Sequence, residues 1–153
     1  MANHFMKRLP VLFVVAFWVL VTSCHSSKMV CTSCDDAPKA IGPYSQAVKT
    51  GRMIYTAGQI GMSPATNAFA GDDIGAQTHQ ALKNIRAVRE AAGSDMEHVV
   101  KVTVFMKDLN DFAKMNDIYK DYFPGLKPAR STVQAARLPK DALIEIECVA
   151  VAK

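Results

Sequence analysis

Pro128-Ala129-Arg130-Ser131-Thr132-Val133 and, a few residues on, Leu143-Ile144-Glu145-Ile146-Glu147 are the two stretches that decide the fold. Each reads as a β-strand, and each carries a charge where a strand normally buries apolar surface. An arginine just after a proline is a natural clamp for a small carboxylate, because its planar guanidinium donates two parallel hydrogen bonds. A glutamate between two isoleucines is placed to handle protons. Together the two stretches predict a site for a small organic acid.

The alternation continues to the end of the chain. Ile144, Ile146 and Cys148 fall on one strand face, and Glu145 and Glu147 share the other with Leu143, Val149 and Val151. A sheet with two largely apolar faces does not suit a monomer with one wet side. A homo-oligomer that buries the second face is expected.

Upstream, Ser45–Thr50 and Met53–Ala57 flank Gly51-Arg52, a short hairpin signal. A loop from Gly58 to Gly71 leads to Asp72 or Asp73, either able to cap a helix reaching about Ala92. Ala81, Ile85, Val88 and Ala92 form its apolar stripe, and Gly93 stops it. Val99–Met106 reads as a central strand. A second helix starts near Asp108 or Asn110, shows Phe112, Met115 and Tyr119 on one face, and ends at Pro124. Strands at about 129–136 and 142–152 complete a β-β-α-β-α-β-β order. The predicted fold is an α+β sandwich with two helices on one sheet face.

Residues 1–23 read as a segment outside that fold. Lys7 and Arg8 precede an apolar run, Leu9 to Val21, of 13 residues. That is short of the roughly 20 a membrane-spanning helix needs, and it fits a secretory signal. The run ends in Val21-Thr22-Ser23-Cys24, which resembles a bacterial lipobox. Cys24 is therefore the expected lipidation site, and a lipid-anchored place in the cell envelope, periplasmic or outer-membrane, the expected location. An uncleaved anchor or an ordinary signal peptide is the competing reading. Without this segment the formal charge falls from +4 to +2, sixteen basic against fourteen acidic side chains. No basic run or interleaved aromatic stripe is present, so nucleic acid is not an expected partner.

Residues 24–36, rich in Ser, Thr, Cys, Lys and Asp, read as a flexible tether, and 37–153 as one domain with one core. Cys31-Thr32-Ser33-Cys34 lies in the tether. No second CxxC and no histidine pair completes a zinc site, so a local disulfide or two inert thiols are expected instead. Cys148, on the buried alternation, reads as a small apolar residue. The four histidines form no cluster, and no metal is expected.

Ile41-Gly42-Pro43-Tyr44-Ser45-Gln46, Thr56-Ala57-Gly58-Gln59-Ile60, Val102–Leu109, Pro128–Ser131 and Ile144–Glu147 occur together in one order and spacing. In these motifs the chain resembles the reactive intermediate deaminase A family (RidA, also called YjgF), from about residue 37 to 152. The resemblance implies a chorismate-mutase-like α+β fold, assembled as a homotrimer with sites in clefts between subunits. It implies hydrolysis of 2-imino acids or their enamine tautomers to 2-oxo acids and ammonia, with no cofactor.

By the same resemblance Arg130 matches the arginine that grips the substrate carboxylate, and Glu145 the glutamate that orients or activates water. Tyr44 matches a tyrosine lining the cleft, Asn116 a helix-borne asparagine, and Gly58 a backbone position facing the ligand. A backbone N–H near Gly58 or Thr132 is expected to orient the imine carbon. Two departures bear on substrate range and rate: Ala57 stands where many active relatives have serine, and Thr132 where some have cysteine. The rival reading keeps the fold without the chemistry, as a small-carboxylate binder or a chaperone-like protein. An envelope location favours that rival, since imine-forming dehydratases are cytosolic.

Overall fold

The computed structural model describes residues 28–153. The expected signal segment 1–23, the expected lipidation site Cys24 and the start of the expected tether lie outside the described residues.

The elements are β1 (Met29–Thr32), β2 (Ala47–Thr50), β3 (Met53–Thr56), β4 (Gln59–Ile60), α1 (Ile74–Ala91), β5 (Val99–Met106), α2 (Phe112–Tyr122), β6 (Ala129–Gln134) and β7 (Ile144–Val151). They form one seven-stranded sheet in the order β1-β2-β3-β7-β5-β6, with β4 also paired to β7. Only β5 and β6 run parallel, because α2 carries the chain back between them. The α+β architecture is as predicted, with two short strands more than the sequence suggested.

Side-chain alternation on β7 builds the core. Ile144, Ile146, Cys148 and Ala150 are buried on the helix side. Opposite them in register sit Met106, Val104 and Val102 of β5. Ala81, Leu82, Ile85 and Val88 of α1, with Met115 and Tyr119 of α2, complete the same buried cluster. Asp73 caps α1 by accepting from the N–H groups of Gly75 and Ala76, and Gly93 (φ 88°) takes the left-handed conformation that ends it. Lys114 of α2 donates to the same Asp73 carboxylate at 3.0 Å, fixing the two helices together. Phe112 departs from the expected buried face: it is exposed at the start of α2.

The tether reading needs correction over its described part. Met29–Thr32 pairs antiparallel with β2, opposing Thr50 through Ala47. Gln46, itself buried, accepts from the N–H of Cys34 and donates to the carbonyls of Cys34 and Pro38. Cys34 and Ala37 are consequently part of the core. A four-residue edge strand draws its conformation from cross-strand hydrogen bonds, so composition alone reads it as linker. Cys31 is exposed, Cys34 buried, and both are free thiols.

Between β3 and β4 the sheet is irregular in a way that builds the site. Tyr55 opposes Val149, but Gln59 opposes Ile146. Four steps on one strand thus face three on the other, a bulge at Ala57-Gly58. Thr56 stabilises its base: Cys148 N–H donates to the Thr56 hydroxyl oxygen at 2.9 Å.

Candidate active site

Sheet register divides the expected site residues into two groups. Glu145 opposes Phe105 of β5 and Ile60 of β4, on the face turned away from the helices. Arg130 opposes Val102, which in turn opposes Cys148, and so lies on the helix face. Within one chain the arginine and the glutamate point to opposite sides of the sheet. Within one protomer the two strands therefore do not form a joint site.

The first group surrounds Glu145. A cleft of about 590 Å³ is lined by Ile41, Tyr44, Gly58, Ile60, Lys140 and Glu145, among others. Tyr44 is half exposed there, not buried in the core. The bulge brings Gly58 against the Glu145 side chain so closely that a Cβ at this position would overlap the carboxylate. Only glycine gives the carboxylate that place. Burial pushes the pKa of Glu145 up, and the like charge of Glu147 on the same strand face adds to the rise. A carboxyl group so placed takes up a proton more readily than an exposed one, as a proton relay requires.

The second group surrounds Arg130. Its Nη2 donates to Asn116 Oδ1 at 2.8 Å, so α2 orients the guanidinium from behind. The guanidinium carbon lies 4.4 Å from the Tyr119 ring centroid and 5.5 Å from that of Phe112, a cation–π seat. Phe112 is thus a support for the arginine rather than a core residue. The hydroxyls of Thr132 and Tyr119 are buried on this side without a hydrogen-bond partner among the described residues. Buried polar groups are ordinarily paired, so a guanidinium with two unused hydroxyls on the same sheet face suits an anionic ligand.

The sequence profile described as Endoribonuclease L-PSP matches residues 34–152. The chain belongs to that family, the RidA/YjgF proteins. It is 51% identical over 128 residues to the 2-iminobutanoate/2-iminopropanoate deaminase of Salmonella typhimurium, covering 82% of this chain and 98% of that one. It is 45% identical over 134 residues to the chloroplastic Reactive Intermediate Deaminase A of Arabidopsis thaliana, covering 88% and 72%. Among solved structures, E. coli TdcF with bound serine superposes with a TM-score of 0.78 at 43% identity, covering 81% of this chain and 99% of that one. Deaminases of 2-imino acids are thus among its relatives at about half identity, alongside relatives named only as RutC family proteins, such as one from Pyrococcus horikoshii at 55%.

Against that family background, the expected residues fall into the Tyr44–Gly58–Glu145 and Asn116–Arg130–Thr132 groups. Sequence reading missed Lys39, Ile41, Met62 and Lys140 in the Glu145 cleft. Ile41 had a signal, adjoining the Gly42-Pro43-Tyr44 turn, whereas Lys39 and Lys140 reach the cleft through loop conformations no local pattern specifies. Among the described residues no three His, Cys, Asp or Glu side chains gather as a metal site.

Proposed function

We propose that this RidA-family protein hydrolyses 2-imino acids such as 2-iminobutanoate and 2-iminopropanoate, in sites completed between copies of a homotrimer. The observation that carries the proposal is the opposite facing of Arg130 and Glu145. A carboxylate clamp from one subunit and a proton-relay cleft from its neighbour make one site where a single chain has two halves. The partly apolar outer face, with Tyr55 and Val133 exposed on it, gives the subunits a surface to bury.

In the proposed reaction Arg130 holds the substrate carboxylate. Glu145 takes a proton from water as the water oxygen bonds to C2 of the imine. It returns that proton to nitrogen, giving a carbinolamine, and then moves the hydroxyl proton to nitrogen as the C=O bond forms and the C–N bond breaks, so that ammonia and a 2-oxo acid leave. Imines are reactive, so positioning and one relay supply much of the acceleration. Ala57 contributes no hydroxyl and Thr132 no thiol, so neither group takes part.

Subunit complementation tests this reading. Arg130→Ala and Glu145→Gln proteins should each be inactive on imines generated by an amino-acid oxidase. Mixed and reassembled, they should recover about a quarter of wild-type activity, because one site in four then draws both intact residues from different subunits. Recovery of nothing, or no acceleration by wild type, would sink the reading. The second result would favour a carboxylate-binding protein without catalysis. The formal charge of +2 beyond residue 23 lends no support to RNA as substrate.

Lipid anchoring through Cys24 is the second part of the proposal. Met29, five residues later, is already in the sheet, so the leash reaches at most about 18 Å. Processing should be blocked by globomycin and lost in Cys24→Ala. Maturation unaffected by both would remove the anchor.

A further inference from the structure

The Glu145 cleft carries more positive charge than the proposed deamination uses. Lys39 and Lys140 both line it, and Glu145 is its one lining carboxylate. Lys39 has only a loose, highly exposed contact with Asp35 at 3.6 Å. Lys140 has no ion-pair partner among the described residues.

Lys140 is also held where it is at a conformational cost. It sits in a turn, Pro139–Asp141, between β6 and β7, with φ 56°, and Asp141 follows at φ 61°. Two successive non-glycine residues in the left-handed region persist only where their surroundings impose it. Here Arg137 grips Asp141 with both ends of its fork, Nε to Oδ1 at 2.7 Å and Nη2 to Oδ2 at 3.1 Å. The N–H of Asp141 donates to the Leu138 carbonyl at 3.0 Å, and that of Ala142 to Pro139 at 3.1 Å. These contacts fix the turn that places Lys140 at the cleft.

We propose that Lys140, assisted by Lys39, selects 2-imino acids that carry a second, side-chain carboxylate, the imino forms of the acidic amino acids. The inference rests on the deaminase reading above, in which Arg130 of a neighbouring copy already holds the 2-carboxylate. The lysines are then free for a distal carboxylate, and the cleft has room for the longer side chain. Lys140 in this role is a specificity residue, not a catalytic one.

The test compares iminosuccinate, released by an aspartate-oxidising enzyme, with 2-iminopropanoate, using the full chain in detergent. Wild type should hydrolyse iminosuccinate with a kcat/KM at least about tenfold higher, the discrimination one well-placed charge gives. Lys140→Asn keeps a residue that tolerates left-handed backbone and should abolish most of that ratio through KM. Lys140→Arg, which keeps the charge, should retain it. Equal kcat/KM for the two imines in wild type would overturn the inference while leaving the deaminase reading intact. So would an equal fall for both substrates in Lys140→Asn. Absence of acceleration with either imine would overturn both.

Discussion

Glu145→Gln is expected to lower kcat for imine hydrolysis by about 10²–10⁴-fold, the usual contribution of a positioned acid–base group. The amide keeps the shape of the carboxyl group and loses its ability to relay a proton. Gly58→Ala should approach the same loss by a different route, because the new Cβ must displace the Glu145 carboxylate. Wild-type activity should fall as pH drops through the raised pKa of Glu145, since water activation needs the ionised form, and the glutamine variant should not show that limb. Stability should move the other way. A carboxyl group whose folded pKa is raised favours the native state below the ordinary carboxylate range. That advantage is lost as pH rises through the raised value, so at neutral pH Glu145→Gln should be slightly more stable than wild type. Steady-state rates across pH, paired with urea unfolding, check both halves. A glutamine variant with full activity would remove Glu145 from the mechanism.

Arg89→Met is expected to stabilise the protein by about 1–4 kcal/mol, the range seen when buried ionic groups give way to apolar ones of similar volume. Arg89 is fully buried on α1, and all three of its guanidinium nitrogens lack a hydrogen-bond partner among the described residues. Burial pulls its pKa down from the usual arginine value. Glu90 and Asp95 favour the charge only through space, and neither is hydrogen-bonded to it. Burial pushes the nearby Cys148 thiol to about 11, so it is neutral at pH 7. Asp95 is engaged instead by Lys153 and by His98, each at 2.7 Å. Methionine fills comparable space without a charge to desolvate. The thermal midpoint should rise by several degrees and the urea midpoint with it. A lower midpoint would mean that Arg89 has a compensating partner and that its burial is not a net cost.

Where local chemistry fixes conformation, the sequence was legible. Asp73 and Gly93 bracket α1 because a capping side chain and a left-handed glycine act over one turn. Val99–Met106 and the alternation from Ile144 announced themselves through β-branched content and period two. β1 and β4 did not, since Met29–Thr32 and Gln59-Ile60 are strands only by virtue of the strands they pair with. The site divides in the same manner. Arg130 and Glu145 stand out as charges in strands, and the neighbours of Arg130 on α2 follow from helix spacing. That the two face apart depends on the β6-β5-β7 register, which joins segments far apart in the chain. The strained turn at Lys140 is likewise set by Arg137 and Asp141 acting together, not by any residue's own preference.

The facing of Arg130 and Glu145 has a consequence for how such a protein behaves in a mixed population. In the proposed trimer each copy would lend its arginine to one neighbour and borrow from another, so catalysis would belong to the ring and not to the chain. Dilution that separates the copies would then silence every one of them. A single defective copy would then spoil a site it does not itself house, making one faulty allele a poison to its sound partner.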